Sequence, residues 1–316
     1  MSVMLNKRAN ELVQPMLPLV GDLRGTLVEL DNGGKIVDLG VKAEGGLEAG
    51  RFLAEVCLSG LGDVRIVSGE IGEVAWPHVQ VVTDWPVEAC LLSQYAGWQI
   101  SVGKFFAMGS GSMRAAAARE ELFHKLDYRE SPSHAVGILE TGKLPTTEVF
   151  DLIAEKTGVP ADMTVLLAAR TASIAGNFQV VARSVETSLH KLFELGFDVW
   201  RVRSAIGIAP LPPVAKDDFS GIGRTNDAIL YGGRVTLIVR GDDESIAAIG
   251  PQVPSSGSTA HGKPFAEIFE DAGRDFYKID PHLFSPAEVV FHNLDTGRVH
   301  CFGHVAPDVL RRSFDI

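Results

Sequence analysis

The run from Thr171 to Gly196 constrains the fold most. Phe178, Val181, Val185, Leu189 and Leu192 recur at helical spacing, so a helix over 177–195 has one apolar side that another element must cover. Along the margin of that side Gln179, Arg183, Glu186 and His190 follow at intervals of four, three and four residues, which stacks them in a narrow polar ribbon. Arg183 and Glu186 are close enough on such a helix to interact. Two readings stay open: a surface ion pair, or charged groups held at the edge of a site.

Around this helix the signals mix without strict strand-helix alternation, which predicts an α+β fold rather than a doubly wound sheet. A first helix is predicted over 4–20, limited by Pro15 and Pro18. A hairpin follows, from Thr26-Leu-Val-Glu and Lys35-Ile-Val-Asp joined by Asp31-Asn-Gly-Gly. Helices over 46–59, 88–97, 115–126, 146–157 and 265–272 are interleaved with strands at 64–67, 79–83, 98–102, 163–168, 234–240, 288–292 and 298–302. Residues 105–114 read as a small-residue loop, either a capped turn or an anion-holding N-terminus that includes Ser110. At 316 residues the chain exceeds what one core usually fills. Two interlocked α/β domains with mixed or antiparallel sheets and a cleft between them are expected. The division is placed at 1–130 and 131–316, with the chain free to cross between domains. Phe150-x-x-Ile153-x-Glu155-x-x-Gly158 recurs as Phe265-x-x-Ile268-x-Glu270-x-x-Gly273, a weak sign of internal duplication.

Forty acidic against 29 basic residues give a net charge of −11 with no basic face, which argues against nucleic acid as a partner. The three cysteines, Cys57, Cys90 and Cys301, are far apart and form no CxxC pair, so they read as reduced thiols in a cytoplasm. No apolar run approaches the ~20 residues of a membrane span. Gly257-Ser-Thr-Ala-His-Gly-Lys263 begins like a phosphate-binding loop, but Pro264 stands where a hydroxyl is needed. There is no GxGxxG, GxSxG or HExxH, and the histidines never pair at metal-ligand spacing. What remains is acid-base chemistry by carboxylate, guanidinium and water, for which Arg183 and Glu186 are the natural pair.

Several longer strings resemble the methenyltetrahydromethanopterin cyclohydrolase family. They are Ser93-Gln-Tyr-Ala-Gly-Trp, Ala107-Met-Gly-Ser-Gly, Ala169-Arg-Thr-Ala-Ser-Ile-Ala-Gly, Val181-Ala-Arg-Ser-Val-Glu-Thr, Ala209-Pro-Leu-Pro-Pro-Val-Ala-Lys-Asp-Asp, Gly223-Arg-Thr-Asn-Asp-Ala-Ile-Leu-Tyr-Gly-Gly and Asp280-Pro-His-Leu-Phe-Ser-Pro-Ala-Glu. Two features depart from or refine the pattern. Ser112 replaces a usual proline, and the short span before Phe105 resembles bacterial members, which implies one-carbon oxidation in a methylotroph. The resemblance implies reversible hydrolysis of a cyclic methenyl pterin cation to its 5-formyl form, with no metal or organic cofactor, by a homotrimer. It places the catalytic pair on Arg183 and Glu186. Gln94, Ser110, Gln179, Lys216, Asp217, Arg224, Asn226 and Asp227 become candidates for pterin binding, with Asp218 beside them. For the 216–218 group, and for Arg224, Asn226 and Asp227 read as a tight loop, a purely structural role remains open. A carrier on the same scaffold is the competing expectation, and it would not need the Arg-Glu pair.

Overall fold

The computed structural model describes residues 3–274 and 278–316. The α+β expectation holds, because the described strands form two six-stranded mixed sheets. They belong to two units with interleaved sequence: Met1–Gly62 with Glu88–Gln179, and Asp63–Val87 with Val180–Ile316. The division therefore does not fall at residue 130. Instead the chain leaves unit 1 after Gly62, returns at Glu88 and leaves again after Gln179.

Unit 1 contains β1 (Thr26–Glu29), β2 (Lys35–Gly40), β5 (Trp98–Val102), β6 (Phe105–Ser110), β7 (Ala135–Glu140) and β8 (Thr164–Ala169), in the order β1-β2-β8-β7-β6-β5. β8 pairs parallel with both β2 and β7, and the remaining pairings are antiparallel. Strands in such a parallel centre need apolar residues on both faces, and these have them. Val37, Leu39, Val136, Ile138 and Leu167 pack with Ala9 and Val13 of α1 (Leu5–Met16) and Leu53 of α2 (Leu47–Cys57). Ile36, Leu139, Leu166 and Ala168 pack with Val149, Phe150 and Ile153 of α5 (Thr147–Thr157). Residues 105–110, expected as a loop, form β6. Its Gly109 and Ser110 lack β propensity but gain the ladder to β7. The helix expected over 115–126 is two, α3 (Met113–Ala117) and α4 (Glu121–Lys125), because Ala118 takes a left-handed turn at φ 43°.

Unit 2 contains β3 (Asp63–Ile71), β4 (Val74–Thr83), β9 (Val202–Pro210), β10 (Arg234–Val239), β11 (Glu288–Asn293) and β12 (Val299–Gly303), in the order β12-β11-β10-β9-β4-β3. β10 and β11 run parallel and the other neighbours antiparallel. One face carries the in-register row Val64, Val81, Gly207, Val235 and Val289, all buried. The opposite face carries Asp63, Val82, Ile206, Thr236, Val290 and Cys301, none of them buried. The helices α9 (Asp243–Ile249) and α10 (Phe265–Asp271) lie in the crossover between β10 and β11, as α5 lies between β7 and β8. The recurring Phe-x-x-Ile-x-Glu-x-x-Gly thus falls on crossover helices of parallel pairs in both units. It ends at Gly158 and Gly273, each left-handed at φ 74° and 69°.

Candidate active site

The predicted helix over 177–195 is broken. α6 (Ile174–Val181) carries Gln179, and α7 (Ser184–Glu194) begins anew after a turn at Ala182 and Arg183. Arg183 caps α7 with φ −97° and ψ 10°, and its amide donates to the Val180 carbonyl at 3.2 Å, an i−3 bond that tightens the turn. The ribbon therefore does not run through a single helix. Glu186 lies in the first turn of α7, where free backbone amides and the helix dipole favour a carboxylate. Arg183 and Glu186 are only 6% and 4% exposed, so the pair is not a solvated surface ion pair. A Cβ on Gly207 of β9 would stand 2.4 Å from Ser184 Oγ and 2.7 Å from a Val185 methyl. That glycine is what lets the start of α7 lie against the sheet.

Further along α7, Ser188 and Lys191 are also buried. The Lys191 Nζ donates to the His282 carbonyl at 2.5 Å. Burial lowers the Lys191 amine to about 8 despite the opposing pull of Asp280. Burial also raises Asp280, but hydrogen bonds from Ser258 Oγ and the His282 amide outweigh this and hold it below the usual range. Sequence reasoning passed over Lys191. The available signal was a lysine lodged between the core positions Leu189 and Leu192. His190 is instead half-buried, 3.8 Å from Glu194.

In unit 1, Gln94 ends a π-helix over Val87–Gln94, a helix form often found at functional positions, and is fully buried. Its carbonyl lies 3.8 Å from Cys57 Sγ, which in turn is 3.4 Å from Ser110 Oγ at the end of β6. Gln94 and Ser110 are thereby brought to one thiol. The π-helix is held by Arg114, a fully buried guanidinium that donates to the Leu91 and Ser93 carbonyls at 3.1 Å each. Arg114 also pairs with Glu120 and lies 5.0 Å from the centre of the Tyr95 ring. Trp98 is buried in the core of unit 1.

The loop expected around 223–233 is part of α8 (Asp218–Gly232), which changes what its polar residues do. Arg224 bonds the Ser313 carbonyl at 3.1 Å and Asp315 at 2.5 Å, fastening the C-terminal segment. Asn226 bonds back to the Ile222 carbonyl at 2.8 Å. Asp227, fully buried, accepts from the Phe265 amide at 2.7 Å and Ser313 Oγ at 2.6 Å; burial raises its carboxyl to about 7. Asp217 caps α8 by accepting from the Ser220 amide at 2.8 Å, whereas Lys216 is exposed. A cavity of about 550 Å³ in unit 2, lined by Glu70, His78, Arg234 and Leu310 among others, includes none of these candidates.

Among the described residues there is no group of three or more His, Cys, Asp or Glu side chains able to hold a metal ion. Nor is any described helix long and apolar enough to cross a membrane. Residues 4–314 match the family model described as Cyclohydrolase (MCH). A methenyltetrahydromethanopterin cyclohydrolase of Methylobacillus flagellatus is 44% identical, covering 98% of this chain and 95% of the relative. One of Rhodopirellula baltica is 47% identical over 90% of this chain and 87% of its own length. One of Methanospirillum hungatei is 42% identical over 99% of both. With so much of its length matched by the family model and by these relatives, the chain belongs to the methenyltetrahydromethanopterin cyclohydrolase family.

Proposed function

We propose that this protein catalyses the reversible hydrolysis of 5,10-methenyltetrahydromethanopterin to 5-formyltetrahydromethanopterin in the cytoplasm, as a step of one-carbon metabolism. The match across residues 4–314 carries this reading. No observation favours a carrier on the same scaffold. Water adds to the electrophilic methenyl carbon, the bond from that carbon to the nitrogen at position 10 breaks, and that nitrogen gains a proton. Glu186 takes the proton of the attacking water, and its negative charge stabilises the cationic substrate. Arg183 keeps the carboxylate oriented and ionised. The burial of both groups, together with the position of Glu186 in the first turn of α7, supports the assignment.

Gln94, Ser110, Gln179, Lys216 and Asp217 are proposed as pterin contacts. Arg224, Asn226 and Asp227 act indirectly in this proposal, by holding α8. The reaction uses no metal or organic cofactor, and the chain works as a homotrimer.

The test follows the near-ultraviolet absorbance of the methenyl substrate. Glu186→Gln is expected to lower the rate by about 100-fold to 10,000-fold, the usual worth of a positioned base. A variant as fast as the wild type would remove Glu186 from its role. A wild type no faster than the spontaneous reaction would remove the activity itself. Dialysis against a chelator should leave the wild-type rate unchanged.

A further inference from the structure

The cavity of about 550 Å³ in unit 2 plays no part in the reaction proposed above, and the alternation of side chains along β9 shows why. Gly207 faces α7, whereas Pro210, three residues on, projects from the other side of the sheet. His78 is the register partner of Pro210, and Arg234 that of Ile208. Cross-strand partners share a side, so both line the cavity on the side turned away from α7. The β3–β4 hairpin and α11 (Pro307–Phe314) form its walls, where Ile71, Pro210 and Leu310 supply aliphatic surface. A Cβ on Gly69 would stand 2.3 Å from His78 Nδ1, so the missing side chain is what gives the imidazole its place.

Two polar groups in this cavity are left with capacity for a ligand. His78 is only 4% exposed. Its Nδ1 lies 3.0 Å from the Trp76 carbonyl, which can only accept, so Nδ1 carries the hydrogen and Nε2 is an acceptor. Among the described residues no hydrogen bond reaches Nε2. Burial first, and then the charge of Arg234, lower the imidazole below its usual value against the opposing Trp76 bond, which leaves it neutral at pH 7. Arg234 is exposed and forms no ion pair among the described residues, even with Glu288, its register partner on β11.

We propose that this cavity is a second binding site, separate from the catalytic pair, for a small aliphatic α-hydroxy acid. Arg234 pairs with the carboxylate, His78 Nε2 accepts from the hydroxyl, and Ile71, Pro210 and Leu310 receive the hydrocarbon body. The planar guanidinium matches a carboxylate with two parallel bonds. It balances a single negative charge, and exposed Glu70 at the rim repels a second, which disfavours a phosphate dianion. A neutral Nε2 needs a donor from the ligand. Arg234, close enough to act on that imidazole, repels an ammonium group, so the donor is a hydroxyl and an amino acid is disfavoured. The volume lies within the roughly 300–1,000 Å³ of small-molecule sites.

The experiment is calorimetric titration of the full chain, without turnover, so its result is independent of the cyclohydrolase reading. The probes are the α-hydroxy analogue of leucine, leucine itself, isocaproate, which lacks the hydroxyl, and inorganic phosphate. The hydroxy acid should bind with a Kd in the millimolar range or tighter, and the other three about tenfold or more weaker. Arg234→Gln, a change at an exposed position, should weaken the hydroxy acid by at least tenfold with an unchanged circular dichroism spectrum. A second readout locates the ligand. In NMR spectra of the imidazole nitrogens, the signal that His78→Phe removes should move in the wild type when the hydroxy acid is added. No binding at millimolar concentration, or an Arg234→Gln variant that binds as well as the wild type, would overturn the site. Phosphate binding as tightly as the hydroxy acid would mean an adventitious ion only. Isocaproate or leucine binding equally well, or a stationary His78 signal, would overturn the assigned ligand class.

Discussion

Asp227 is a carboxyl whose burial raises it to about 7, and that shift has a sign. Its folded value of about 7 lies well above the ordinary 3.8, because burial disfavours the charge more than the Ser313 and Phe265 hydrogen bonds favour it. Between about pH 4 and pH 7 the unfolded chain has lost this proton while the folded chain keeps it. Stability from this group is therefore full below pH 4 and is lost as pH rises towards 7. Asp227→Asn preserves an acceptor for the Phe265 amide and offers a donor to Ser313 Oγ. The expected outcome in denaturant titrations is a variant whose stability no longer falls across that window, with a gain on the order of 1 kcal/mol or more at pH 8. An unchanged slope would show that another group sets it. Gln94 and Ser110 could be picked as candidates, but nothing in the sequence showed that both approach Cys57, 37 and 53 residues away, because that meeting depends on the π-helix and the end of β6.

At the scale of elements, the start of α7 depends on β9. Gly207→Ala would drive a methyl into Ser184 and Val185, two residues directly ahead of Glu186. The turn must shift, and about 1–3 kcal/mol of stability goes with it. If Glu186 is the base, displacement on the order of 1 Å should also lower turnover by about 100-fold in a variant that remains folded, checked by circular dichroism alongside the rate. Full activity in that variant would mean that the first turn of α7 need not be held so closely. The Arg-x-x-Glu spacing was legible in the sequence because it is local. The break before Ser184 was not, since Val181-Ala-Arg-Ser contains no glycine or proline to announce it. α8 escaped for the reverse reason. Gly221, Gly223, Thr225 and Asp227 are poor helix formers, yet they are buried, with Gly223 in close contact with Ala266 of α10, and packing overrode propensity. The β1–β2 hairpin, by contrast, carries its own turn chemistry and forms where expected.

For the whole molecule, chain length and the mixing of helix and strand signals without strict alternation were enough to expect two units and an α+β class, but not the placement of residues 63–87 with the C-terminal sheet. Pairing between β4 and β9 is non-local: Asp84 and Ser204, 120 residues apart, share a hydrogen bond at 2.6 Å. No local pattern encodes such a choice of partner. It also sets an order of assembly. Every strand of the first sheet has been synthesised by Ala169, while β3 and β4 still lack β9. In chains halted near residue 200 and freed of ribosomes, brief proteolysis should spare 135–169 and cut within 63–83; equal resistance of both segments would contradict that order. The same interleaving has a consequence for how such a gene can be rearranged. A single crossover between residues 26 and 303 splits at least one of the two sheets, so no one cut can part the chain into two whole units. The two have to be inherited together.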